Sequence, residues 1–213
     1  MDDTIDSIYM INDVRMHSLH DMVVRASANG VFEPETFKHW TSRTTSGIAI
    51  DVGSYTGVYC IAAALNGACS YAFEPNPKVY DRLLANIMLN LTSVKSFNVA
   101  ISDQCGSTSF HAKPMHLTSA GSIDEDGEET VNTALLDSFF GKPCKISAIK
   151  IDVEGHELNV IRGAKTIIER SHPLVIAEFN GKMEDHDLLV AAMERHGYSN
   201  WEVCDRRNLV FID

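Results

Sequence analysis

The sequence predicts an α/β fold: a mostly parallel sheet with helices on both faces, finished by an antiparallel strand. Three observations carry this. From Gly47 onward, apolar runs such as "GIAIDVG", "SAIKIDV" and "PLVIAEF" alternate with amphipathic stretches. Strands written as near-continuous apolar runs are buried on both faces of a parallel sheet, and their alternation with helices builds right-handed crossover units. The C-terminus breaks the alternation, where "YSNWEV", the polar turn "CDRRN" and "LVFID" read as a hairpin. A length of 213 residues, 45% of them apolar, suits one domain with an N-terminal appendage.

In chain order, residues 1–45 are expected to be a helical appendage and residues 46–213 the main domain. Leu19, Met22, Val23 and Ala26 recur at helical spacing, with Asn29–Gly30 as the stop. Glu33–Pro34 opens a second short helix, since proline suits the first helical position, and Phe37 and Trp40 share its face. "GIAIDVG" is a strand and "GVYCIAAALNG" a helix ending at Asn66–Gly67. "CSYAFEPN" is the second strand; "PKVYDRLLANIMLN" follows as a helix with Val79, Leu83, Ile87 and Leu91 in line. "VKSFNVAIS" is a third strand and "KISAIKIDVEG" a fourth, followed by a helix carrying Leu158, Ile161 and Ile168. "PLVIAEF" is a fifth, then a helix with Leu188, Leu189, Ala192 and Met193, closed by Gly197. Residues 103–145 break the rhythm as an irregular insertion with "STSF", the acidic patch "SIDEDGEE" and a short helix near "TALLDSFF". Such insertions are functional or mobile loops. The acidic patch lacks the ligand spacing and distal Glu of a calcium loop, so it reads as hydrated.

Composition excludes several classes. The chain has 29 acidic and 18 basic residues, a net charge of −11. Broad phosphate-backbone binding needs clustered Lys and Arg, so no nucleic-acid partner is expected. No run of about 18 apolar residues exists, so no membrane span is expected. The start, "MDDTIDSIYM", lacks a signal peptide's basic and apolar regions. Five scattered cysteines with no C-x-x-C pair read as reduced thiols, Cys60 within a helix core, in a cytoplasmic protein. The sequon at Asn90 then carries no weight.

The stretch "IDVGSYTGVYC", Ile50–Cys60, holds the first chemical signal. Gly53 makes the turn after a strand and Gly57 opens the next helix, whose first N–H groups are free. The middle glycine of the dinucleotide fingerprint is missing, and the anionic Asp51 disfavours a phosphate while favouring a cation. Glu74 ends the second strand, 23 positions after Asp51, where a carboxylate accepts hydrogen bonds from both ribose hydroxyls. An ammonium, a ribose and no phosphate describe S-adenosylmethionine.

These segments, with "NVAIS" and above all "IKIDVEGHELNVIRGA", resemble the FkbM family of S-adenosylmethionine-dependent methyltransferases, from about Gly30 to the C-terminus. The resemblance implies a Rossmann-like class I methyltransferase fold, with a seven-stranded sheet whose last strand is antiparallel. It also implies O-methylation of a hydroxyl on a sugar or natural product. The expected cofactor contacts are Asp51, Gly53, Ser54, Tyr55, Gly57 and Tyr59, then Glu74, Pro75 and Asn76. Ala100, Ile101 and Ser102 are expected beside the adenine, together with Asp152. The loop departs from the family pattern at Ser54–Tyr55–Thr56, where Tyr55 is unusually bulky.

Ligands of open α/β sheets bind at the carboxyl ends of the strands. That rule gathers Asp152, Glu154, His156 and Glu178 as catalytic candidates, because a base that takes the hydroxyl proton adds about 10²–10⁴-fold. Each has a plainer role open to it: Asp152 could brace its loop, Glu154 and Glu157 could serve a helix start, and His156 could face water. Glu178 has no capping role and is the better companion for Asp152. Lys150 points opposite to Ile149 and Ile151, towards a weak charge role. Carboxylates at one mouth could hold a divalent cation, which is not favoured without a His-rich ligand set. His111 and His116 line a substrate loop or face water. The alternatives are an NAD-dependent oxidoreductase, a non-catalytic cofactor-binding module and, least of all, a nucleic-acid methyltransferase. The expected partner is a small-molecule or glycan hydroxyl, and an apolar N-terminal helix could pair two copies into a homodimer.

Overall fold

A computed structural model of the chain describes residues 7–17, 32–112, 121–124, 126–179 and 181–212. It begins with an antiparallel hairpin, β1 (Ile8–Ile11) and β2 (Val14–His17), where the sequence suggested helix. Asn12 and Asp13 take positive φ at the turn, and alternation, not helical periodicity, buries Ile11, Val14 and Met16. The helix expected over Leu19–Ala26 lies outside the described residues, and with it the basis for a homodimer.

The remaining elements are α1 (Pro34–Arg43), β3 (Ile48–Val52), α2 (Val58–Leu65), β4 (Cys69–Phe73), α3 (Pro77–Leu89), β5 (Lys95–Phe97) and β6 (Ala100–Ile101). Then come β7 (Gly106–Ala112), β8 (Gly121–Ile123), β9 (Glu129–Ala134), a 3₁₀ turn (Leu136–Phe139) and β10 (Ile146–Ile151). The chain closes with α4 (Glu157–Gly163), α5 (Lys165–Ser171), β11 (Leu174–Glu178), α6 (Met183–Glu194), β12 (Asn200–Cys204) and β13 (Asn208–Ile212).

Seven strands form the main sheet in the order β12-β13-β11-β10-β3-β4-β5. Six run one way and β13 runs against both of its neighbours, as the C-terminal hairpin predicts. Alternation along the strands sends Ile50, Val52, Ile149, Ile151, Val175 and Ala177 to the face covered by α4, α5 and α6. The opposite face carries Ala49, Ala148, Ile176 and Val210 beneath Trp40 of α1 and Tyr59 of α2. Small residues at 49 and 148 leave room for the Trp40 indole, which is wholly buried and donates to the Tyr59 carbonyl at 3.0 Å. The hairpin docks on α3 through Asn90, whose side chain bonds both the N–H and the carbonyl of Arg15. That buried amide is therefore spent inside the fold.

Three sequence expectations need correction. The third strand splits: β5 joins the main sheet, while β6 leaves it for a second sheet of order β6-β9-β7-β8. The described residues of 103–145 are thus no irregular loop; β7, β8 and β9 pair around a small core of Ala100, Phe110 and Val131. Its polar strands hid this, because one face is solvated. Finally, the single helix expected after β10 is two, broken at Ala164. Among the described residues no helix is long and apolar enough to cross a membrane.

Candidate active site

The carboxyl ends of β3, β4, β10 and β11 open into a cavity of about 490 Å³, within the ordinary range for small-molecule sites. Its first wall is the β3–α2 loop. Gly53 has φ +77°, and a Cβ there would stand 1.8 Å from the carbonyl oxygen of Asp152. Gly57 has φ +102°, and a Cβ would press on Leu83 at 2.5 Å. Only glycine lets the loop lie this close to β10 and α3. Ser54 pins the turn, donating to the Asp51 carbonyl at 2.7 Å and accepting from the Phe73 N–H at 3.1 Å.

Asp51 and Glu74 both line this cavity and are nearly inaccessible. Asp51 accepts the Cys60 N–H at 3.1 Å. Burial pushes its carboxyl up to about 7, against the pull of Lys150 and the Cys60 N–H. Glu74 accepts the Asn76 N–H at 2.8 Å on one oxygen and the Tyr55 N–H at 3.0 Å on the other. Each oxygen keeps a lone pair, and burial raises the carboxyl to about 8. The positive φ of Tyr55, 49°, aims its N–H at Glu74.

The second half of the cavity lies over the face that carries Trp40. Register places Lys150 beside Asp51 of β3, and Glu178 beside Asn208 of β13. Alternation then sets Asp152 on the same side as Lys150. The Lys150 ammonium is 3.1 Å from Asp152 Oδ2 and lies over the Tyr59 ring, 5.3 Å from its centre; its side chain is 1% exposed. Burial opposes that charge, but Asp152, Glu33 and Glu178 outweigh it and hold the lysine above its ordinary value. Asp152 is likewise pushed up by burial, yet Lys150 and a hydrogen bond from Glu178 bring it below the usual carboxylate range. Glu178 goes the other way, pushed up to about 9 by burial and by Asp152. One carboxyl of the pair is charged and the other keeps its proton, the separation of roles expected of an acid–base site.

Of the sequence-predicted residues, Asp51, Gly53, Ser54, Tyr55, Gly57, Tyr59, Glu74, Pro75, Ala100, Ile101, Asp152, Glu154, His156 and Glu178 line this one cavity. Asn76 and Ser102 do not. Asn76 caps α3, accepting the Lys78 N–H at 3.1 Å, and Ser102 Oγ meets His156 Nε2 at 2.9 Å. His156 is thereby turned toward the β6 edge, and burial lowers its imidazole. Glu154 sits at φ 56° beside Gly155 in the turn. Glu157 is structural, accepting the N–H groups of Val153 and Gly155. His111 faces water on β7; His116 is outside the described residues.

Sequence reasoning missed Glu33, Arg207 and the roof formed by Phe110, Gly121 and Ile123, and it undervalued Lys150. Glu33 arrives from the N-terminal side with φ 45° and accepts both the Tyr59 hydroxyl at 2.5 Å and the Asn208 amide at 3.0 Å. The readable signal was Lys150: a lysine inside an apolar strand must find buried carboxylates. Its ammonium already supplies the positive charge that a divalent ion would bring. Among the described residues, the cavity carboxylates do not set three donor atoms within 4.8 Å of one another.

The cavity fits the cofactor that the sequence suggests. Glycines clear the floor, and Glu74 offers two lone pairs where the sequence predicts the ribose. Acids outnumber Lys150 and Arg207 along the lining, which suits a guest carrying ammonium and sulfonium charges.

Comparison with known proteins gives a consistent result. Residues 51–199 match the family described as the methyltransferase FkbM domain. A hexuronic acid methyltransferase of Haloferax volcanii is 32% identical over 141 residues, 65% of this chain and 58% of that protein. The FkbM methyltransferase structure from Methylobacillus flagellatus superposes with a TM-score of 0.56 at 15% identity, covering 78% of this chain and 44% of that one. TYW2 of P. horikoshii, solved in complex with MeSAdo, gives 0.53 at 12% identity, covering 97% and 69%. The two structural likenesses show the fold. The aligned regions span little more than half of the first relative and less than half of the second.

Proposed function

The chain belongs to the FkbM methyltransferase family, and from that premise we propose that it moves the methyl group of S-adenosylmethionine onto a hydroxyl oxygen of a sugar, glycan or small natural product. One observation carries the reading: a single cavity joins Asp51 and Glu74 at one end to Lys150, Asp152 and Glu178 at the other.

The cofactor supplies an electrophilic methyl on a sulfonium. The chain's residues do the rest. Glu74 accepts the ribose hydroxyls and Asp51 attracts the amino group. Asp152, kept anionic by Lys150, accepts the proton of the acceptor hydroxyl. Glu178 keeps its own proton at neutral pH and so leaves that task to Asp152. The roof of Phe110 and Ile123 excludes water, and alignment of the two reactants contributes much of the rate. The hexuronic acid methylated by the Haloferax volcanii relative supports a carbohydrate acceptor. Five unpaired cysteines support work in a reducing compartment, the cytoplasm.

The test has two arms. Titration calorimetry with S-adenosylhomocysteine should show one site per chain, and labelled cofactor with a panel of neutral and acidic sugars should yield a methylated product. Absence of heat with the nucleoside, together with binding of NADH, would replace this reading with the oxidoreductase one.

A further inference from the structure

Far along the sheet from the glycine-rich loop, α1 meets the edge strand β12. Its N-terminus is tied to the β12–β13 turn, where Thr36 N–H donates to Asp205 at 2.8 Å and Asp205 N–H donates to Glu35 at 3.4 Å. One turn along α1, His39 Nε2 stands 3.1 Å from Glu202 Oε1. Glu202 and Cys204 are two apart on β12 and so share a face. Donor atoms of His39, Glu202 and Cys204 all lie within 4.8 Å of one another, the one such group among the described residues. The imidazole is half-buried, the carboxylate exposed and the thiol buried against the core of Trp40 and Val210. Glu35 and Asp205 add two more carboxylates, and among the described residues no lysine or arginine forms an ion pair with any of the three acids.

We propose that His39, Glu202 and Cys204 form a zinc site, three protein ligands with an open position for water, that clamps α1 to β12. Imidazole, thiolate and carboxylate are the donor types zinc accepts, and a mixed nitrogen, sulfur and oxygen set selects it over magnesium or calcium. On binding, the Cys204 S–H bond gives way to an S–Zn bond and the proton leaves to solvent; no electron changes hands. Excess negative charge in the seam favours a cation there. The position also has a use. Glu33 immediately precedes α1 and lines the cavity, and Arg207 and Asn208 follow the β12–β13 turn to its rim and to Glu33. A clamp across the seam therefore fixes both sides of the acceptor half of the cavity.

The experiment uses the whole chain, stripped with a chelator and titrated with cobalt as a spectroscopic reporter. The expected result is one cobalt per chain with a sulfur-to-metal charge-transfer band, displaced by zinc. Zinc at a hundredfold excess over its Kd should raise Tm by roughly 5–10 °C. Cys204→Ser should abolish the band, and His39→Gln, a half-exposed change that leaves the core intact, should weaken uptake at least ~10-fold. A chain that takes up no cobalt, a band that survives in Cys204→Ser, or undiminished affinity in His39→Gln overturns the assignment. None of these outcomes bears on cofactor binding, which is read separately by calorimetry.

Discussion

Replacing Glu74 with glutamine tests the cofactor end of the cavity most sharply. The two carboxylate oxygens accept backbone N–H groups of Asn76 and Tyr55 at 2.8 and 3.0 Å. An amide can satisfy only one of them, and it turns a donor toward the other. It also removes one of the two acceptors proposed to face the ribose. A hydrogen bond to a charged group contributes about 1.5–3 kcal/mol, and 1.4 kcal/mol is about tenfold in affinity. Glu74→Gln should therefore weaken S-adenosylhomocysteine about 10- to 100-fold. The pH dependence sharpens the test. In the free protein Glu74 titrates at about 8 and Asp51 at about 7. A guest that selects the ionised forms binds more weakly as pH falls, up to about tenfold per unit for each group below its own value. Wild type should lose affinity more than ~100-fold between pH 8 and 6, and the variant only the ~10-fold part due to Asp51. Calorimetry at pH 6, 7 and 8 reads both numbers. A variant that binds within about threefold of wild type, with an unchanged pH slope, refutes the ribose assignment.

Further outcomes follow from the same geometry. Gly53→Ala forces a side chain into positive φ and against the Asp152 carbonyl, so urea denaturation should show a loss of at least ~2 kcal/mol. Lys150→Met strips the cation from three carboxyls; breaking a buried pair costs about 3–5 kcal/mol, and adding Asp152→Leu should recover part of it. Asp152→Asn should lower methyl transfer about 10²–10⁴-fold while calorimetry still shows nucleoside binding. Stability should fall as pH rises from about 5 to 9. Raised carboxyls at Asp51, Glu74 and Glu178 mean the folded chain holds protons that the unfolded chain has lost; urea midpoints at pH 5, 7 and 9 check the slope, and saturating S-adenosylhomocysteine should flatten it.

Much of this was legible because the main sheet writes itself in apolar runs. Strands at Ile48–Val52, Ile146–Ile151 and Leu174–Glu178 are buried on both faces, so the periodicity argument applied directly, and the glycine spacing marked the loop between them. The second sheet failed the same test for a physical reason. Ser107, Ser109, Thr130 and Asn132 pair through backbone on the solvated face, opposite the side that carries Phe110 and Val131, and a half-solvated strand of small polar residues looks like a loop. Glu33 was hidden differently. It reaches the cavity only through a left-handed residue before a helix, and it contacts partners at Tyr59 and Asn208 that lie 26 and 175 positions away. Such contacts follow from the way α1 lies on the sheet, which no local pattern states. Asn76 and Ser102 were placed one neighbour too far: each orients a group that lines the cavity instead of lining it itself.

The charge pattern also limits the chemistry. Burial penalises ionised carboxylates and neighbouring acids add to the penalty, so Asp51, Glu74, Asp152 and Glu178 do not all ionise together in this cavity near neutral pH. The structure resolves the conflict with one fixed cation and an uneven distribution of protons. Lys150 stands between Asp51 and Asp152, and of the two it bonds only Asp152, whose pKa it lowers; the carboxyls at Asp51, Glu74 and Glu178 rise. Near neutral pH that leaves Asp152 ionised and Glu178 protonated beside Lys150. A base confined to one oxygen-bearing group, flanked by a protonated carboxyl that cannot compete for the same hydrogen, suits removal of a proton from a weakly acidic hydroxyl. On the proposed mechanism, that arrangement suits the neutral oxygen of a polyol at the reacting position.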